Sequence, residues 1–177
     1  TTAQIAALGT AHIAALSAEQ VTGLSVGSVT ALSPSQVSVL GSTQLVAFNT
    51  AQLAAIGTDD IKSLATAALH ALGADQVAAF TSGQFAALSS AQAVALTADQ
   101  IAGLGTANLN ALGTSQFAAL SSAQVAAISA AQAAKLENAD VAALSTAAVK
   151  GLSQEAIAAL TTGQVVAMTS AQVGALS

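Results

Sequence analysis

From Thr2 to Ser177 the chain divides into 22 octads without a single insertion or deletion. A period held that strictly limits the possible folds more than any other feature, because each unit must make the same contacts as the next. The stretch 114–129, TSQFAALSSAQVAAIS, shows two units end to end. The pattern is [S/T/A]-A-Q-[V/I/L/F]-A-A-[L/I/F]-[S/G/T]. Position 4 is apolar from Ile5 through Val173 and small only at Ala93 and Ala133, and position 7 is large and apolar from Leu8 through Leu176. These two columns are the expected core.

Three backbones can be tried against the period. One continuous α-helix turns about 100° per residue, so eight residues overshoot two turns by about 80° and the apolar columns would spiral around the rod. A strand puts positions 4 and 7 on opposite faces, and Ala and Gln are weak strand formers. A short helix with a corner satisfies both columns, since residues i and i+3 share a face and the intervening Ala-Ala favours helix. The expectation is an all-α solenoid of 22 helices of about seven residues, one per octad, with the eighth residue as the corner. It runs uninterrupted over residues 1–177 as a single domain.

The polar columns point the same way. Position 8 is Ser, Gly, Thr or Asn except at Ala65 and Glu137, and these are N-cap residues, with Gly also suited to ending the preceding helix. Pro34, the only proline, follows Ser33 at the first helical position. Gln dominates position 3, the capping-box spacing seen in Ser121-Ser122-Ala123-Gln124. Glu19, Asp59, Asp75, Asp99 and Glu155 at position 2, with Asp60 and Asp140 at position 3, fall in the first turn, where the helix dipole favours carboxylates, and Glu137 sits at the cap. Lys62, Lys135 and Lys150 fall toward the helix C-terminus. Gly23, Gly103 and Gly151 at position 6 point to close approach between helices, whereas position 5, with Thr22, Lys62, His70, Asn110 and Lys150, is expected to face water. Gly9, Gly41, Gly73 and Gly105 recur every 32 residues, as do Phe48 with Phe80 and Phe85 with Phe117, which gives an expectation of four octads per coil.

Composition excludes several functions. The mean hydropathy is positive, yet Gln, Ser or Thr interrupts every apolar run, so no span reaches the roughly 20 residues of a membrane helix. With three Lys, no Arg and a net charge of −5, nothing can neutralise a row of phosphates, so no nucleic-acid partner is expected. The absence of Cys removes disulfides and thiolate metal sites. Thr1 in place of a start methionine, with no signal-peptide pattern ahead of the repeats, points to a processed product or an excised segment.

The candidate site residues occur singly or in pairs. His12 at position 3 and His70 at position 5 have no partner at ligand spacing and read as substituted surface positions. Asp59 and Asp60 are adjacent carboxylates without a glycine-rich calcium loop and read as helix N-terminal charges. The Ser and Thr hydroxyls have no base at fixed spacing, and the glycines occur singly at corners rather than in a phosphate loop. No catalytic, cofactor-binding or metal residue is assigned, no cofactor is expected, and the chain is read as not an enzyme.

Octads such as TAQIAAL (2–8), TAQLAAI (50–56), SAQVAAI (122–128) and SAQVGAL (170–176) resemble the repeat tracts of very large bacterial secreted or surface-exposed proteins, often labelled adhesion, haemagglutinin or haem-utilisation proteins. That resemblance implies an extracellular spacer or fibre. Haem binding is not carried over, since the chain has no Tyr or Cys and only His12 and His70, far apart. Repeat arrays need polar capping units, and the first octad, TAQIAALG, and the last, SAQVGALS, are as apolar as the middle ones. The expected role is an extracellular rod or filament that self-associates through its terminal repeats. The alternative is a binding module that shows regular Ser/Thr/Gln rows to ice, a glycan or a protein.

Overall fold

The computed structural model describes residues 1–176; Ser177, the corner of the last octad, lies outside the described residues. The fold is an all-α solenoid of short helices. Each octad carries one element: 21 α-helices of four to six residues and one 3-10 helix, Ile61–Ser63, with no strand among the described residues. The helices are shorter than seven residues because the corner takes two. Phe48 and Asn49 are both extended (φ −65°, ψ 136° and φ −76°, ψ 169°), as are Leu88 and Ser89. Position 7 thus leaves the helix and turns its side chain inward while the chain changes direction.

The caps follow the sequence pattern. Ser17 Oγ accepts from the backbone N–H of Gln20 at 3.2 Å, and Pro34 opens its helix behind the Ser33 cap. Glycine at the corner does not end the preceding helix in a left-handed conformation. Gly9 has φ −71° and ψ 159°, the same backbone as Ser17, and no described residue has positive φ. The corner is an extended kink that any residue can adopt.

Octad 58–65 departs most from the rest. Gly57 has no side chain to cap it, the Asp60 carboxylate folds back over Gly57, and only a single tight turn follows. Asp59 and Asp60 therefore lie in a turn ahead of a 3-10 helix, not in the first turn of an α-helix.

The helices pack three octads apart. Helix Ser90–Ala95 lies on Thr114–Ala119, which lies on Asn138–Ala143, which lies on Thr162–Ala167. One coil therefore takes three octads, not the four expected from the 32-residue recurrence; a span of four octads belongs instead to a side-chain tie described below. Position 4 is at most 1% exposed from Ile13 through Val149, and position 7 lines the same interior. All four Phe are buried, with the Phe80 and Phe85 rings 6.1 Å apart at 56°. Toward the ends the core opens, with Val165 44% and Val173 45% exposed.

Close approach at position 6 is strictest at Gly151, where a Cβ would collide with the backbone carbonyl of Ser122. At Gly103 a Cβ would sit 3.3 Å from the Ala74 Cβ, while at Gly23 it would meet only its own helix. Position 5 is mostly exposed, yet three side chains reach forward 25 residues to the next coil. Thr30 Oγ1 donates to the Ala55 carbonyl at 3.4 Å, His70 Nδ1 lies 2.9 Å from the Ala95 carbonyl, and Asn110 Nδ2 donates to the Lys135 carbonyl at 2.6 Å.

Candidate functional site

The feature that organises this molecule is the position 3 slot. Position 3 is the third helical residue, so a Gln there faces its own cap while the rest of its amide points at the neighbouring coil. Gln100 shows the full set of bonds. Its backbone N–H donates to Thr97 Oγ1 (3.1 Å), its Oε1 accepts the Thr97 N–H (2.7 Å), and its Nε2 donates to the carbonyls of Leu69 (3.0 Å) and Leu72 (2.7 Å). One buried side chain, 1% exposed, thus closes its own helix start and the open C-terminus of a helix in the preceding coil.

Fourteen octads carry Gln at position 3, and in twelve of them Nε2 reaches the carbonyl 28 residues back, from Gln36 on Leu8 to Gln172 on Leu144. A second carbonyl, 30 or 31 residues back, is shared in each case, as with Ile5 for Gln36 and Val46 for Gln76. The capping-box reading of the sequence identified only the Oε1 half of this arrangement. It also leaves Gln available for an exposed recognition row, which the structure overturns: apart from Gln4, Gln20 and the half-buried Gln76, these side chains are buried.

Eight octads depart from Gln. Asn108 is one methylene shorter and still reaches the Phe80 carbonyl at 3.0 Å. Asp140 occupies the slot with a carboxylate only 3% exposed, and burial, reinforced by the nearby Glu137, pushes its pKa up to about 6. Asp60 is raised in the same direction by burial and then by Asp59. Ala68, Ala148 and Ala156 fill the slot with buried methyl groups. Asp140, Ala148 and Ala156 fall in consecutive octads, so among the described residues the carbonyls of Leu112, Leu120 and Ile128 receive no side-chain amide and one stretch of the coil is left unstitched.

The other singled-out residues stay apart. His12 is exposed in the first coil and His70 rests on the Ala95 carbonyl. No group of three or more His, Cys, Asp or Glu among the described residues could hold a metal ion. Glu155 is held below the usual carboxylate range by hydrogen bonds from its own backbone N–H and from Ser153, as a first-turn acid should be, whereas Glu137 caps its helix without a side-chain bond. The groove where octad 146–153 lies on octad 122–129 is lined by small residues, and its one titratable group is Lys150.

No curated protein matches the chain. The ALTTAQ repeat matches three times, over residues 53–90, 102–138 and 133–170, together more than half of the sequence. Ala159 to Gln164, ALTTGQ, comes within one residue of that motif and spans positions 6 to 8 and 1 to 3, the corner, the cap and the tying Gln. The conformation of the corner and the bonds of the glutamine slot are what such a motif encodes, and the chain belongs to the ALTTAQ repeat family.

Proposed function

We propose that the chain is a structural element of the cell exterior, an extracellular rod or filament segment such as an adhesin stalk or fibre subunit, which lengthens by stacking octads and associates end to end. The observation that carries this reading is the glutamine tie, repeated through the array with the same bonds. A structure that spends its most informative polar side chain on joining one coil to the next is suited to spanning distance, since each unit contacts only its neighbours along the axis. The repeat family and the all-helical fold point to a non-catalytic protein. The resemblance to repeat tracts of bacterial surface proteins supports the location. A display of Ser/Thr/Gln rows to ice or glycan is less well supported, because the Gln column is inside and most cap hydroxyls accept backbone N–H groups.

Electron microscopy of the purified chain tests the proposal. Elongated particles or filaments with a regular axial repeat are expected. Compact dispersed monomers that bind an ice or glycan surface would replace the rod with the binding module.

A further inference from the structure

Where position 3 elsewhere brings an amide N–H to main-chain carbonyls, at Asp140 it brings a carboxylate that is 3% exposed. By the spacing of 31 and 28 residues that Gln100 keeps to Leu69 and Leu72, the carbonyls facing this slot are those of Leu109 and Leu112, at the C-terminal end of helix Thr106–Asn110. Neither receives a side-chain amide among the described residues. Asp140 makes no side-chain hydrogen bond among the described residues either, and the Glu137 N–H is not closed by it as Gln100 Oε1 closes the Thr97 N–H. Asn110, between the two carbonyls in the chain, has a buried Oδ1 that accepts nothing.

Asp60 shows where a carboxylate at this position goes when its corner allows. It folds back over Gly57, and a Cβ on Gly57 would collide with it. The corner before Asp140 is Glu137, which carries that Cβ, so the Asp140 carboxylate is kept off its own corner and left in the slot. Burial and Glu137 both act against its negative charge, and no lysine offsets them. Asp is one methylene shorter than Gln, so the space that Nε2 fills in other coils lies between the carboxylate and the two carbonyls, with oxygen on both sides. Carboxylate and main-chain carbonyl oxygens at about 2.3 to 2.6 Å are the ligands that calcium takes, and the open end of a helix favours a cation. We propose that this slot binds a hard divalent cation of the calcium type, held between the Asp140 carboxylate and the carbonyls of Leu109 and Leu112, with water completing its shell. The ion does there what Nε2 does elsewhere: it joins the start of helix Asn138–Ala143 to the end of helix Thr106–Asn110 in the preceding coil. Its ligands are one buried carboxylate and main-chain oxygens, not a cluster of three acidic or imidazole side chains.

Calcium chloride is the probe, added near pH 7.5 to chain dialysed against a chelator. Isothermal titration calorimetry of the parent is expected to show a single calcium ion bound per chain, and about 10 mM calcium chloride to raise its Tm by about 5 °C. Asp140→Gln puts the amide tie back, so this variant stays folded, and it is expected to show neither the calorimetric signal nor the shift. Asp140→Asn, which keeps the size of the side chain and removes its charge, is expected to lose both as well. A parent whose titration and Tm are unmoved by calcium chloride overturns the site. A shift of equal size in Asp140→Gln also overturns it, because the exposed carboxylates would then be the groups that respond.

Discussion

The side-chain nitrogen of Gln100 lies 2.7 Å from the carbonyl oxygen of Leu72, 28 residues earlier, while the oxygen of the same amide holds the Thr97 N–H. Replacing that side chain removes more than one bond, and it leaves buried carbonyls and a buried N–H without partners. Gln100→Ala is expected to destabilise the fold by about 3 kcal/mol in urea denaturation. Gln20→Ala, which loses only the cap bond at an exposed site, should cost under about 1 kcal/mol. Equal costs at the two positions would mean that the tie to the preceding coil contributes nothing.

Adding a tie should work in the other direction. Ala156 sits buried where a Gln would face the Ile128 carbonyl, within the unstitched stretch. Ala156→Gln is expected to stabilise by about 1 kcal/mol, seen as a higher Tm. A lower Tm would show that the slot has closed around the methyl group.

Asp140 makes stability depend on pH. Its folded pKa, about 6, lies above its ordinary 3.8, so the folded chain holds this proton more tightly than the unfolded chain does. The protonated form therefore favours folding, fully below about pH 3.8, and that contribution is lost as pH rises through about 6. Asp140→Asn should remove it: the difference in unfolding free energy between variant and parent should grow between pH 4 and pH 6.5 and then level off. A difference that stays flat across this range would mean that Asp140 titrates normally.

Gly151 and Gly23 share position 6 but not surroundings. Gly151→Ala drives a methyl group into the Ser122 backbone carbonyl and is expected to cost about 2 kcal/mol. Gly23→Ala meets only its own helix and should be neutral or stabilising by up to about 1 kcal/mol. Thermal denaturation of the two variants side by side checks the contrast.

Much of this is legible in the sequence. Val77 and Phe80 announce themselves as core by their columns, and Ser33 with Pro34 marks a helix start, because each depends on chemistry within one octad. What lay beyond reach depended on what is 24 to 31 residues away. Nothing in the octad around Gln100 says that Leu72 will be opposite, since that follows from how many octads close a coil. The 32-residue recurrence of Phe48 with Phe80 pointed to four octads, while backbone packing obeys three. Asp140 looked like a first-turn acid at a helix N-terminus, and only the coil beneath it makes the site dry. Gly9 looked like a helix terminator, but its backbone is indistinguishable from that of Ser17.

The extended corners carry a consequence for how such proteins change over generations. Since no bend among the described residues requires a left-handed backbone, the corner itself sets no limit on which unit follows which. Duplicating or deleting a whole eight-residue module leaves every remaining layer with an equivalent neighbour. Length is therefore set by copy number in steps of one module, and the residues that notice the change are those matched across coils, such as Gly151 against Ser122.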